Sequence, residues 1–367
     1  MTMGDDAGTV DELPRDALEG WLAGALDVAA VHIGGFSKPR SGFSAETWIF
    51  DAEILGDGPP ETRRLVVRRE TDDPAVYPQQ APGYDCEVEI QYRTMKALAD
   101  HSEVPIAPLV GYEDDPSVLG APFFVMGFVD GEVPVENPLY TAEGFFVDAP
   151  PERRRGMIED GLRVLARVHD VDWRDAGMEW LAPPDVVPGS AHQVDLWEAY
   201  ARRELAGRGH PVLEHGFAWL HRRLPDRDGA EDRTIGLCWG DARPGNMIWQ
   251  GTRCVCATDF EAASIASPDQ DLGWWLMFDR WSHETFGVGR LDGEPTRDEQ
   301  RRIYAEWAGV EVPDTTFHEV FAAVRYTAIV VRVMNRTVAR GLLPPDQTIW
   351  IDNPSTLCLS QILDEVG

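Results

Sequence analysis

Three residues with oxygen-bearing side chains occur close together in the sequence, in the second half of the chain. Asp241 and Asn246 are five residues apart after a strand-like run, and Asp259 comes 13 residues later, at the end of the next strand-like run. A hairpin here would bring the three side chains together. Two such oxygen ligands suit Mg²⁺, which takes one or two carboxylates and leaves positions for substrate phosphates. The remaining carboxylate could accept the proton of an attacking hydroxyl, so the spacing indicates phosphoryl transfer.

The same residue types also occur in ordinary surface loops, so their interpretation depends on the elements around them. Apolar residues recur at helical spacing in some stretches and alternate with polar residues in others. The predicted elements are helices at residues 14–29 and 85–99 and strands within 31–70 and at 122–129, 234–239 and 253–260. The rest of the chain after residue 131 is mostly helical in pattern. The sequence therefore predicts an α+β protein with a β-rich N-terminal piece and a larger helical C-terminal piece.

The loop reads WGDARPGN at residues 239–246, and TDFE follows at 258–261. These motifs resemble the HGDxxxxN and IDxE motifs of the aminoglycoside phosphotransferase-like kinase family, which shares the protein-kinase fold. Further similar segments are residues 42–47, 65–68, 92–98, 119–131, 165–172 and 271–273. The resemblance implies a bilobal protein-kinase-like fold with nucleotide between the lobes. Residues 1–128 would form a small β-rich nucleotide-binding lobe, and residues 129–367 a larger, mostly helical catalytic and substrate-binding lobe.

The resemblance also implies roles for individual charged residues. Asp241 would be the catalytic base, and Asn246 and Asp259 would bind Mg²⁺. Arg243 would stabilise the transferring phosphoryl group, with an ion pair to a neighbouring acid as the alternative. Arg68 stands where kinases place the lysine that contacts the α- and β-phosphates, and arginine keeps that charge.

The remaining implied contacts are to the nucleotide, which would be ATP or GTP. Backbone N–H groups of a Gly/Ser loop would cover its phosphates, and backbone groups of the hinge would hydrogen-bond its base. The loop residues are Ser41, Gly42, Phe43 and Ser44, and the hinge residues are Gly127, Phe128 and Val129. Gln91 occupies the position of the glutamate that pairs with the strand cation in the family. We therefore expect Glu89 to take that role, with Glu87 as the alternative.

A second departure from the family pattern is Trp239, which stands where the motif has histidine. That histidine is mainly structural, so the change affects the packing of the loop rather than the base. His169 and Asp271 are also predicted to be structural, and Asp271 would brace the catalytic segment. The aromatic residues within 274–281 have helical spacing, which favours core packing over the alternative of an acceptor pocket.

Composition excludes several classes of partner. The 367-residue chain has 63 acidic and 33 basic residues, and its net charge of −30 disfavours nucleic acid as a partner. No apolar run reaches the ~18 residues that a membrane span needs, and the acidic N-terminus lacks the features of a signal peptide. The five cysteines include no CxxC pair, which indicates buried, reduced thiols. We therefore expect a cytoplasmic protein.

These observations predict a Mg²⁺- and ATP-dependent phosphotransferase that acts on a hydroxyl of a small molecule. A nucleotide-binding pseudokinase that serves as a scaffold or sensor is the alternative, which Trp239 and Gln91 favour and the complete Asp/Asn/Asp set opposes. A protein kinase fits less well, because the 12 residues from Asp259 to Asp271 are too few for a phosphorylated activation loop. An aminoglycoside, macrolide, sugar alcohol, choline-like amine or lipid-linked hydroxyl remains open as acceptor. The oligomeric state is also open.

Overall fold

The structure, a computed structural model, describes residues 13–38, 45–224, 235–311 and 314–367. Contacts within the chain divide it into two compact units. The first comprises the described parts of Met1–Asp72 together with Cys86–Tyr92 and Ala107–Phe128. The second comprises Asp73–Asp85, Arg93–Ile106 and the described parts of Val129–Gly367.

An antiparallel sheet forms the centre of the first unit. Its strands are β1 (Ala30–Ser37), β2 (Glu46–Leu55), β3 (Glu61–Arg69), β4 (Leu109–Glu113) and β5 (Phe123–Gly127), in the order β1-β2-β3-β5-β4. The helices are α1 (Arg15–Ala25), α2 (Glu87–His101), of which residues 87–92 belong to this unit, and α3 (Pro116–Leu119). Alternate residues of β2, from Trp48 to Ile54, are buried against Leu18 and Leu22 of α1 and other apolar side chains. The period-two pattern of the sequence thus forms one face of the sheet.

The second unit is mostly helical. Its helices are α4 (Phe145–Asp148), α5 (Pro151–His169), α6 (Ser190–Leu205), α7 (Pro211–Arg222), α8 (Asp269–His283), α9 (Arg297–Ala308), α10 (Thr316–Ala339) and α11 (Pro354–Val366). Its strands are β6 (Gly236–Cys238), β7 (Met247–Gln250), β8 (Arg253–Ala257) and β9 (Ser264–Ala266), which pair as β6 with β9 and β7 with β8. Helix α10 packs against α6, α7, α8 and α11, because its apolar residues recur at helical spacing on more than one face.

The predicted fold class is confirmed, since a five-stranded antiparallel sheet is followed by a mostly helical region. Strands β6 and β8 lie within the runs that the sequence indicates. Strands β4, β7 and β9, of five, four and three residues, lie outside the predicted runs. Among the described helices, none combines the length and apolar character that crossing a membrane requires.

Candidate active site

The loop that carries Asp241 begins directly after β6. Residues 244–246 form a 3₁₀ turn, and the β7–β8 hairpin then reverses the chain and returns it to Asp259. Thr258 closes the loop, since its backbone N–H and its hydroxyl donate to the carbonyl oxygen of Asn246 at 3.0 and 3.1 Å. The hairpin therefore brings Asn246 beside the residue that precedes Asp259.

Asp241 is buried, with 6% of its surface exposed, and accepts hydrogen bonds on both carboxylate oxygens. Its Oδ1 accepts from Nε of Arg243 and from Nε1 of Trp274, both at 2.8 Å. Its Oδ2 accepts from the hydroxyl of Tyr77 at 3.3 Å. Burial raises the pKa of Asp241 to about 7, while hydrogen bonds, including that from Trp274, act in the opposite direction. A carboxylate with this pKa, held by fixed donors, can accept a proton from an attacking hydroxyl.

Asn246 and Asp259 carry the side-chain oxygen atoms that the sequence analysis predicts as ligands of a divalent cation. Asn246 is buried, and its Nδ2 donates to the carbonyl oxygen of Asp241 at 2.8 Å, so Oδ1 is the side-chain atom it can offer to a cation. Asp259 is half-buried and has a φ of +58°, a left-handed conformation that aspartate tolerates better than most residues. Within the described ranges, no group of three or more His, Cys, Asp or Glu side chains could hold a metal ion. One amide and one carboxylate oxygen fit Mg²⁺, which takes its other ligands from water and phosphate.

Trp239 connects the catalytic loop to the segment that carries Asp259. It is fully buried, and its indole N–H donates to the carbonyl oxygens of Thr258 at 2.8 Å and Asp259 at 3.2 Å. Its ring stacks on Phe260, with ring centroids 4.9 Å apart and 17° between the planes. The residue that replaces the family's histidine thus holds the loop by a ring N–H and a stacked ring.

We expect Trp239→Phe to lower the free energy of unfolding by about 1–3 kcal/mol, because buried carbonyl groups lose their donor while the aromatic stack is kept. Urea unfolding measures the change. Trp307 is 57% exposed, and Trp307→Phe is the matched control, with an expected change within about 0.5 kcal/mol. Equal losses in the two variants would contradict the bridging role of Trp239.

Asp271 of α8 holds the same loop through hydrogen bonds to the loop's backbone. The fully buried carboxylate accepts the N–H groups of Trp239 at 2.5 Å and Gly240 at 2.9 Å. Nε2 of His169 lies 3.1 Å from this carboxylate, and its Nδ1 lies 2.7 Å from the hydroxyl of Tyr304. Both Asp271 and His169 therefore have structural roles, in agreement with the sequence analysis.

Arg325 of α10 also holds the loop, and sequence reasoning does not identify it. Its exposed fraction is 2%, and its Nη2 donates to the carbonyl oxygen of Gly240 at 2.8 Å. The guanidinium lies over the rings of Trp274 and Trp197, 4.6 and 4.9 Å from their centroids. Burial lowers the pKa of Arg325. The available signal is an arginine that interrupts the mostly apolar stretch 320–331 of α10, a helix that also carries Arg332 and Arg336.

Arg243 contacts two carboxylates in this structure. It forms an ion pair with Glu136 and donates to Asp241, and its guanidinium lies 5.1 Å from the ring centroid of Phe278. The ion pair that the sequence analysis left as an alternative is therefore present. It places a positive charge directly beside the candidate base.

The aromatic residues of α8 are chiefly core residues, as their spacing predicts. Trp274, Phe278 and Trp281 belong to an apolar cluster of the second unit, with at most 7% of any one exposed. Trp274 also contacts Asp241, and Phe278 and Trp281 line a small pocket beside Arg243. Part of the aromatic run therefore lies at the candidate site.

Arg68 and the predicted glutamates lie in the first unit. Arg68 is buried on β3 and is paired in register with Thr47 of β2 and Phe124 of β5. On α2, Glu89 is half-buried, whereas Glu87 and Gln91 are buried. The choice between Glu89 and Glu87 as partner of Arg68 stays a prediction.

The predicted hinge residues make sheet contacts of their own. The N–H of Gly127 donates to the carbonyl oxygen of Pro108 at 2.7 Å, and that of Phe128 donates to the carbonyl oxygen of Arg64 at 2.9 Å. Both N–H groups are therefore engaged within the protein, and the contact of these residues with a nucleotide base stays a prediction. The predicted phosphate loop, Ser41, Gly42, Phe43 and Ser44, lies outside the described residues.

Comparison with known sequences gives two results. Residues 36–307 match the sequence model of the phosphotransferase enzyme family, APH. Acyl-CoA dehydrogenase family member 10 of Mus musculus is 26% identical over 339 residues, which cover 89% of this chain and 29% of that protein. Acyl-CoA dehydrogenase family member 11 of Homo sapiens is 24% identical over 254 residues, 65% of this chain and 30% of that protein. The chain thus spans about 30% of the length of these curated relatives.

Solved structures show the same fold. A candidate aminoglycoside phosphotransferase of Ralstonia eutropha JMP134 has a TM-score of 0.70 and 22% identity, covering 96% of this chain and 99% of that chain. The GDP complex of aminoglycoside 2′-phosphotransferase-IIIa has a TM-score of 0.57 and 16% identity, covering 91% of this chain and 94% of that chain. A mutant of aminoglycoside phosphotransferase APH(4)-Ia with ADP and hygromycin B has a TM-score of 0.56 and 11% identity, covering 96% of this chain and 99% of that chain.

Proposed function

Because the chain belongs to the phosphotransferase enzyme family, we propose that it is a small-molecule kinase that transfers the γ-phosphate of Mg·ATP to a hydroxyl group. The observation that carries this proposal is the arrangement of Asp241, Asn246 and Asp259 on one loop and hairpin. A buried carboxylate held by side-chain donors suits a base, and the amide and second carboxylate suit Mg²⁺.

In the proposed reaction, Asp241 orients the acceptor hydroxyl and takes its proton as the oxygen attacks the γ-phosphorus. The bond between that phosphorus and the bridging oxygen of ADP then breaks. Asn246 and Asp259 would hold Mg²⁺, which would neutralise charge on the nucleotide phosphates. Arg243, already in contact with Asp241, would stabilise the transferring group.

Nucleotide recognition is proposed for residues 1–128, and acceptor recognition for residues 129–367. Arg68 would contact the phosphates with Glu89 as its partner. Ser41, Gly42, Phe43 and Ser44 would cover the phosphates, and backbone groups of Gly127, Phe128 and Val129 would bind the base. Similar solved structures hold GDP or ADP, which supports nucleotide binding and keeps both ATP and GTP as candidates.

We expect Mg²⁺ with ATP or GTP to raise the unfolding midpoint of the protein. A ligand that binds only the folded state adds about 2.7 kcal/mol of stability at a hundredfold excess over its Kd. Thermal unfolding with each nucleotide, with and without Mg²⁺, measures the shift. Asp259→Asn is the matched variant, because asparagine tolerates the left-handed backbone at this position but lacks the charge for the metal. It should lose the metal-dependent part of the shift.

Two results would count against this nucleotide site. No shift with either nucleotide, in a protein that unfolds cooperatively, would favour a role in binding other partners. A metal-dependent shift of full size in Asp259→Asn would remove Asp259 from the metal site.

The acceptor would be a small molecule with a hydroxyl group. The names of the solved neighbours make aminoglycosides the first class to test, and a net charge of −30 would attract such cations. The curated relatives are named acyl-CoA dehydrogenases, which makes hydroxylated acyl thioesters the second class. Release of ADP that depends on one of these compounds would identify the acceptor class.

Since ATP is needed and the five cysteines are free thiols, we also propose a cytoplasmic location.

A further inference from the structure

Residues 73–85 lie between β3 and α2 in the sequence but pack within the second unit, and we call this segment the strap. Two side chains hold its backbone. Arg332 of α10 donates to the carbonyl oxygen of Ala75 from Nε at 3.1 Å and from Nη2 at 3.0 Å. The hydroxyl of Tyr200 of α6 donates to the carbonyl oxygen of Val76 at 2.5 Å. The strap is therefore fixed to the helices immediately before Tyr77.

Tyr77 is the strap residue that reaches the candidate base. Its hydroxyl donates to Oδ2 of Asp241 at 3.3 Å, whereas Arg243 and Trp274 donate to Oδ1 at 2.8 Å. The neighbouring residues Val76 and Pro78 are buried, so the position of Tyr77 is set by the packing of the strap. The phenol makes the longest of the three contacts, which is the one that another donor displaces most easily.

The hydroxyl of Tyr77 donates to the same carboxylate that would accept the proton of the acceptor hydroxyl in the proposed reaction. An acceptor must donate its O–H to Asp241 as it attacks the γ-phosphorus. The phenol O–H is a donor of the same kind, and it already donates to Oδ2 at 3.3 Å, so an incoming hydroxyl would compete with it for this oxygen. Water could also donate to this oxygen, and transfer to water would consume ATP without product. An acceptor can displace the phenol with binding energy from its whole structure, whereas a single water molecule has no such energy to use.

We propose that Tyr77 is a specificity-determining residue, which blocks Oδ2 of Asp241 to water and yields to the hydroxyl of a bound acceptor. In the suppressed reaction, a water oxygen bonds to the γ-phosphorus and the bond to the β–γ bridging oxygen breaks. The water proton passes to Asp241, and ADP and inorganic phosphate are released. This inference rests on the proposed kinase function.

The test compares Tyr77→Phe with the wild type in Mg·ATP without any acceptor, using phosphate release as the readout. Phenylalanine keeps the ring and removes only the hydroxyl. The matched control is Tyr84→Phe in the same strap, because the ring of Tyr84 contacts Trp180 and Arg93 rather than Asp241. We expect phosphate release to rise about three- to tenfold in Tyr77→Phe, the effect of one long hydrogen bond. The Kd for Mg·ATP, and the rate in Tyr84→Phe, should not change.

Each other outcome has a distinct meaning. An unchanged or lower rate in Tyr77→Phe with nucleotide binding intact would overturn the role of Tyr77 and leave the proposed function standing. An equal rise in Tyr77→Phe and Tyr84→Phe would indicate a loosened strap and would also overturn it. Absence of nucleotide binding in the wild type would overturn the proposed function itself. Tyr77→Leu, which also lacks the hydroxyl, supplies the same readout should Tyr77→Phe not fold.

Discussion

Replacing Asp241 by asparagine is expected to lower kcat by about 10²- to 10⁴-fold, the range that a general base contributes. Asparagine has the same size and can still accept the N–H groups of Arg243 and Trp274 through its amide oxygen. It cannot take the proton of the attacking hydroxyl. The affinity for nucleotide should be preserved, because Asn246 and Asp259 rather than Asp241 are assigned to the metal. ADP release measures kcat, and calorimetric titration with Mg·ADP measures the Kd.

A control substitution at a second aspartate distinguishes loss of the base from a general effect of removing one negative charge. Asp298, at the start of α9, exposes 77% of its side chain, so Asp298→Asn should keep wild-type turnover. Wild-type turnover in Asp241→Asn would refute the assignment of the base. Loss of both turnover and nucleotide binding in that variant would mean that the substitution damages the fold, and the assignment would then depend on Asp241→Ser.

The part of the site that depends on local chain geometry could be predicted from the sequence. Asp241 and Asn246 lie on one short loop, and a hairpin of two short strands returns the chain to Asp259. These distances along the chain are too short to allow many alternative arrangements. Asp271 lies 31 residues from Gly240, and its bracing role was expected from the family resemblance rather than from local geometry.

Residues that reach the loop from distant parts of the chain could not be predicted. Tyr77 contacts Asp241 across 164 positions, and Arg325 contacts Gly240 across 85. Their positions follow from how the strap and α10 pack, which no local period encodes. Arg325 at least interrupts the mostly apolar stretch 320–331 of α10, whereas the sequence around Tyr77 has no comparable signal.

Trp239 shows how a residue that departs from a motif can still hold the loop that carries the motif. Histidine and tryptophan both provide a planar ring with an N–H donor. In this chain the indole N–H reaches the carbonyl oxygens of Thr258 and Asp259, and the ring stacks on Phe260. The sequence identifies the substitution, but only the packing of the loop shows which groups the new ring contacts.

The glycine before the candidate base is where a single methyl group should have a large effect. Gly240 has a φ of +90°, and a Cβ there would lie 2.1 Å from the carbonyl oxygen of Ala262. The positive φ alone costs an L-residue about 1–2 kcal/mol. Because the clash is with backbone, the loop must also move, and we expect Gly240→Ala to lower the free energy of unfolding by more than about 3 kcal/mol. Urea unfolding measures this loss.

Gly251 in the turn between β7 and β8 provides the matched control for that substitution. Its φ is +62°, but a Cβ there would meet no atom within 4 Å, so Gly251→Ala should cost only the conformational term of about 1–2 kcal/mol. The difference between the two variants isolates the steric clash at Gly240. The N–H of Gly240 donates to Asp271 and its carbonyl oxygen accepts from Arg325, so a shifted backbone would also misplace Asp241. Turnover should therefore fall in Gly240→Ala even at temperatures where the variant is folded, and equal losses of stability at both glycines would contradict this role.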